Sequence, residues 1–158
     1  MVKLSSIGLA LLTLVATSTA APSPMPQSNS ATSLEIQSRT SINNCGNSSF
    51  ENLTSNGSPL AADCLRIASN IAGGGSWAVA LLAHHQLVEY GTCAFGVQAG
   101  FYLGVTNFKV GNSDIIDLIN DSVRKYKWNG KVGSKGTMPC QSDPSQLNIM
   151  VDWGIYHT

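Results

Sequence analysis

Charged side chains are scarce in this sequence: Lys, Arg, Asp and Glu make up 11% of 158 residues, nine basic against nine acidic. The strongly positive balance of a nucleic-acid binder is missing, which argues against that class of partner. Beyond Val15 no run is long and apolar enough to span a hydrocarbon core of ~30 Å, so no transmembrane segment is expected. No Cys-x-x-Cys pair occurs, so the clustered spacing of a thiolate metal site is absent. No Gly-x-Ser-x-Gly elbow is present either, and Gly73-Gly74-Gly75 is not followed by Lys-Ser or Lys-Thr, so it is not a phosphate loop. Neither a metal nor any other cofactor is implied.

What is present begins with an export signal. Lys3 supplies a minimal basic start, residues 4–15 are mostly apolar, and no charge follows until Glu35. Ser18 and Ala20 then stand at the two positions where a signal peptidase selects small residues, so 1–20 read as a signal peptide and the mature protein as secreted and extracellular. Its loss removes Lys3, leaving eight basic against nine acidic residues, a net charge of 8 − 9 = −1. Residues 21–42, opening Ala-Pro-Ser-Pro-Met-Pro, have no apolar face to bury and read as a flexible Pro/Ser-rich leader. No dibasic processing pair falls in it. Residues 43–158 are the size of one compact domain.

Two helices are predicted. Ser58 as cap and Pro59 at the first helical position introduce one, with Leu60, Cys64, Ile67, Ala68 and Ile71 on one face and the glycine triplet as its stop. Ser113 as cap and Asp114 in the first turn introduce the other, with Ile115, Ile116, Ile119, Val123 and Tyr126 as its apolar stripe and Asn129-Gly130 closing it. Strands are expected over 77–80, 86–90, 93–97, 102–105 and 150–156. Two helices cannot cover both faces of a parallel sheet. The fold class is therefore α+β, a small α/β sandwich with two helices packed on one face of a mostly antiparallel sheet.

Four cysteines, Cys45, Cys64, Cys93 and Cys140, lie behind the export signal, and an even count there reads as two disulfides. Three connectivities are open. The nested pair Cys45–Cys140 and Cys64–Cys93 is preferred on topology. It ties the start of the folded region to the irregular segment before the last strand, and the buried face of the first helix to a strand beneath it. Cys45–Cys64 with Cys93–Cys140 is the principal rival, and Cys45–Cys93 with Cys64–Cys140 the other.

Several motifs then recur in an order that resembles a known family. They are Asn44-Cys45-Gly46, Asp63-Cys64 within the first helix, Tyr90-Gly91-Thr92-Cys93-Ala94-Phe95-Gly96-Val97, the run from Gly111 to Asn120, and Gly130-Lys131-Val132-Gly133-Ser134-Lys135-Gly136. From about Cys45 to Tyr156 the chain resembles the fungal secreted necrosis-inducing effectors, whose founding member is an extracellular protein of the tomato leaf-mould fungus. That family is distantly similar to the virally encoded killer toxin of a smut fungus. The resemblance implies a two-helix sandwich and action outside the fungal cell, on a plant host or on competing microbes, through a host or microbial surface protein or a membrane component.

Candidate chemistry is thin. His84 and His85 are adjacent between apolar segments, and a hydrolase would need one of them near a nucleophile such as Ser69 or Ser76 and an acid such as Glu89. Asp114, Asp117 and Asp121 line a helix face and read as solvated. Catalytic residues are not assigned, and an unrecognised secreted hydrolase stays the third choice behind a binding effector and an antimicrobial toxin. The most suggestive feature is a cationic run, Arg124, Lys125, Lys127, Lys131 and Lys135, holding Trp128 and no acid, which reads as an interaction patch. Asn47, Asn52, Asn56 and Asn120 fit the N-glycosylation pattern, with Asn47 and Asn52 in a turn-rich stretch as the best acceptors.

Overall fold

A computed structural model describes residues 40–158. The signal peptide and almost all of the proposed leader lie outside the described residues. The elements in chain order are β1 (Glu51–Asn52), α1 (Ala61–Asn70), β2 (Ser76–Ala80), β3 (His85–Tyr90), β4 (Cys93–Gln98), β5 (Asn107–Gly111), α2 (Asn112–Tyr126), β6 (Ser134–Asp143) and β7 (Asn148–His157). The sheet order is β2-β5-β6-β7-β4-β3 and every pairing is antiparallel. β6 and β7 form the central hairpin, in register from Ser134↔Ile155 to Gln141↔Asn148. β5 pairs with one end of the other edge of β6 and β1 with the opposite end, while residues 44–49 run along the edge between them. This is the α+β sandwich expected.

β7 shows why one face is covered. Ile149, Val151, Trp153 and Ile155 are buried, while Met150 and Asp152 are exposed, the period-two pattern of a sheet with one wet face. Onto the apolar face pack α1, through Ala61, Cys64, Ile67 and Ala68, and α2, through Ile115, Leu118 and Ile119. With Phe95, Phe108 and Met138 they make one core, each large side chain worth about 1.5–3 kcal/mol on burial. Two disulfides staple it: Cys45–Cys140 holds the first described stretch to β6, and Cys64–Cys93 holds α1 to β4.

Local details depart from expectation. The chain stays extended through Leu60, which bridges to Lys131 while Pro59 accepts a hydrogen bond from Val132 N, so α1 starts at Ala61 rather than Pro59. Ser58 does not cap it; its Oγ accepts from Ser55 N at 2.9 Å, and Leu60 is exposed instead of joining the buried face. The cap position of α2 is Gly111, not Ser113, whose Oγ meets Ser41 Oγ at 2.6 Å. Residues 102–105 are not a strand: the chain turns there, with Gly104 at φ 77°, and resumes pairing only at Asn107. Cys140 sits inside β6, not in an irregular segment before the last strand.

Candidate functional site

The cationic run is built around the end of α2. Lys127 N still donates to Val123 O, and then the chain folds back in a two-residue turn. Asn129 and Gly130 both take positive φ, 48° and 77°, the backbone that an Asn-Gly turn supplies with little strain. Trp128 and Lys131 exchange both backbone hydrogen bonds, at 3.0 and 2.9 Å. On its other side Lys131 bridges Leu60. Directly opposed residues in antiparallel bridges share a face, so Leu60, Lys131 and Trp128 form one stripe. Trp128 is 51% exposed and Leu60 is exposed beside it. Lys127 is also exposed and makes no ion pair among the described residues.

The other cations are partly neutralised by acids that the linear run does not contain. Arg124 and Lys125 both reach Asp121, at 2.7 and 3.2 Å, and their hydrogen bonds and charge hold the Asp121 carboxyl below its ordinary value. Lys125 Nζ also lies 3.5 Å above the Phe50 ring. Lys135 pairs with Glu51 at 3.4 Å across β1 and β6. Lys131 Nζ donates to the Asn56 carbonyl. Exposed pairs of this kind add little stability, and their main consequence here is to reduce the field of the patch. Five cations against Asp121, Glu51 and Asp152, the last in the cleft at the Lys135 end, leave 5 − 3 = 2 positive charges along the run. A cleft of about 720 Å³, lined by Phe50, Glu51, Lys135, Thr137, Asp152 and Trp153, opens at the Lys135 end of the run.

The other candidate residues lie apart from this surface. The His84 ring packs edge-on against Tyr156 at 5.3 Å, Tyr156 donates to Gln86 Oε1 at 3.3 Å, and the Gln86 amide donates to Glu89. Burial and the nearby Glu89 charge raise the Tyr156 pKa. His85 Nε2 is buried without a partner. Neither histidine hydrogen-bonds a carboxylate among the described residues, and Ser69 is on α1 and Ser76 on β2, away from both. Cys93 is disulfide-bonded and supplies no thiolate. No group of three His, Cys, Asp or Glu side chains among the described residues could hold a metal ion. Asn47, Asn52 and Asn56 are exposed ahead of α1, and Asn120 is exposed on α2.

Two carboxylates carry structural work that the sequence pattern does not announce. Asp114 is buried, not solvated like its helix neighbour Asp117, and accepts from Asn44 N (2.9 Å), Cys45 N (3.2 Å) and Gly111 N (2.7 Å). Desolvation raises its pKa against the downward pull of those donors. Asp63 Oδ2 accepts from both Thr92 N and Thr92 Oγ1 at 2.8 Å, and these bonds lower its pKa.

Comparison with known proteins places this arrangement. Residues 44–140 match the family model of Hce2, described as "Pathogen effector; putative necrosis-inducing factor". Two proteins of Penicillium expansum align with the chain. "Probable chitinase LysM18" is 34% identical over 116 residues, 73% of this chain but 8% of that protein. "Secreted chitinase LysM12" is 34% identical over 105 residues, 65% of this chain and 7% of that protein. The chain therefore spans less than a tenth of the length of these curated relatives. No helix among the described residues is long and apolar enough to cross a membrane.

Proposed function

The chain belongs to the Hce2 family of pathogen effectors and is a secreted fungal protein, and from that premise we propose that it acts by binding a target at a host cell surface, without turnover, and provokes necrosis there. The observation that carries the contact surface is Trp128, half exposed on a rigid hydrogen-bonded turn and set among an excess of positive charge. An indole in such a setting offers a large contact area at little conformational cost, and tryptophan is enriched where binding energy concentrates. The surrounding lysines steer the protein to a negatively charged partner and add less to affinity than to encounter rate. Among the described residues neither His84 nor His85 hydrogen-bonds a carboxylate, which gives binding more support than catalysis.

A second reading is favoured by the two Penicillium expansum relatives. Both are named chitinases, and in each the matched stretch is a small part of a long chain. A domain that accompanies chitinases would work at chitin-bearing surfaces, and its target would then be a competing microbe. Infiltrating leaves with the purified protein and with the Lys127→Glu/Trp128→Ala variant tests the first reading. Ion leakage is expected to need about tenfold more of the variant, at unchanged thermal stability. Equal potency would remove the Trp128 turn as the contact surface. Leaves left intact while fungal growth is inhibited would establish the second reading in place of the first.

A further inference from the structure

The end of the sheet opposite the Trp128 turn is made of three connections, residues 81–84, 99–106 and 144–147, which join β2 to β3, β4 to β5 and β6 to β7. Together they hold no Lys, Arg, Asp or Glu. They do hold Leu103, 91% exposed, Phe101, 71% exposed, and Leu82 and Leu147, each more than half exposed, and Met150 at the start of β7 adds a fifth apolar side chain. Nearest to the tip, Lys109 pairs with Asp143 at 3.6 Å, and Asp152 stands exposed on β7 two residues beyond Met150. Isolated exposed apolar residues need no explanation, but a convergent set from three loops does.

We propose that this uncharged tip inserts into the interface of a lipid bilayer. Two observations favour a lipid surface over a protein partner. Four of its five exposed side chains are aliphatic and none is arginine, with Leu103 nearly fully exposed, whereas a protein contact usually centres on aromatic and arginine anchors within a polar rim. The complete lack of formal charge across three loops removes the groups that resist entry into a membrane. Hydrogen bonds tie the three loops to one another and to their strands: Leu82 N donates to Ala99 O, Val105 N to Tyr102 O, Thr106 N to Asp143 O, Gln146 N to Ser142 O, and Ser142 N to Leu147 O. Met150 N donates to Tyr102 Oη at 3.1 Å, which ties the Phe101–Leu103 loop to β7. These bonds hold the apolar side chains together at headgroup depth, where water still reaches the other loop N–H groups. Tyr102, apolar in body with a hydrogen-bonded hydroxyl, suits the same depth. The inference names the surface at which the effector reading places the protein, and otherwise stands apart from the Trp128 turn.

Co-sedimentation of the mature protein, residues 21–158, with phosphatidylcholine vesicles, with and without phosphatidylserine, tests it without any cell response. The protein is expected to bind zwitterionic vesicles and to stay bound in high salt. Phe101→Ser/Leu103→Ser is expected to lower the partition coefficient about tenfold or more, with unchanged thermal unfolding, because both side chains are already exposed and fill no core. Leu65→Ser on α1 serves as a control and is expected to bind as the wild type does. Failure of the wild-type chain to bind zwitterionic vesicles overturns the proposal. So does equal binding by the Phe101/Leu103 variant, or binding that requires phosphatidylserine and is lost in salt, which would assign the contact to the lysines. A negative vesicle result with leaf necrosis intact would leave the effector reading standing.

Discussion

Asp114 shows how one side chain can organise a terminus. It is the third residue of α2, and its carboxylate reaches back to Gly111 N, the free donor at the start of the helix. The same oxygens take Asn44 N and Cys45 N, so the first described stretch is clasped to the helix end beside the Cys45–Cys140 bridge. Burial makes the ion costly and raises its pKa, but the alternative is three backbone donors with no acceptor. Asp114→Ala is therefore expected to destabilise the fold by about 2–4 kcal/mol in denaturant unfolding, and Asp114→Asn, which keeps an acceptor oxygen, by less. A loss below about 1 kcal/mol for the alanine variant would show that water or a shifted chain satisfies those donors. The position of Asp114 in the first turn was readable from the sequence. Its burial was not, because that depends on residues seventy positions earlier folding over it.

At the scale of elements, α1 is fixed to the β3–β4 turn as well as to the sheet. Asp63 accepts both hydrogen bonds of Thr92, whose Oγ1 in turn accepts from Leu60 N at 2.9 Å, and the Cys64–Cys93 bridge stands next to them. Gly91 between the strands has φ 56°, and a Cβ there would lie 2.5 Å from Asp63 Oδ2, so turn and carboxylate require one another. Because the folded-state pKa of Asp63 lies below the ordinary 3.8, its contribution is present above that value and is lost as pH falls through the folded pKa. Asp114, with its pKa raised, works the other way, since the folded protein takes up that proton before the unfolded chain does. Thermal midpoints of the wild type should accordingly fall more steeply below about pH 4 than those of Asp63→Asn, which has no group to protonate there. Parallel curves would contradict the Asp63–Thr92 clasp. Both helices were legible because their apolar residues recur at helical spacing. β6 was not: Gly136 and Pro139 interrupt it and no β-branched run marks it, so the strand is specified by its partners. Gly136 is there because residues 44–49 pass so close that a Cβ would collide with the Ser49 carbonyl. The 102–105 stretch misled in the opposite sense: Leu103 faces solvent at the tip and Val105 turns into the core, and none of the four residues pairs in the sheet.

Over the whole molecule, the few charges are unevenly placed. One end of the sheet carries Trp128 amid a residual excess of cations, and the other end is uncharged and apolar. The cationic run was visible in the sequence, while the neutralisation of Arg124, Lys125 and Lys135 was not, since Glu51 comes from a distant strand and Asp121 from the preceding helical turn. The apolar tip was not visible at all, because its members come from three loops that only the antiparallel topology brings together. Both ends depend on the fold that the two disulfides staple, and bridges closing stretches of 95 and 29 residues are worth roughly 4–5 and 3–4 kcal/mol in the chain-entropy picture. An effector that acts by binding through this fold must lose its action when the fold is lost. The most direct measurement is leaf infiltration with purified disulfide-intact protein beside a reduced and alkylated control, scored for cell death at equal dose. Necrosis from the intact protein and none from the control is the expected result. Equal necrosis from both, or none from either, would contradict a folded binding effector.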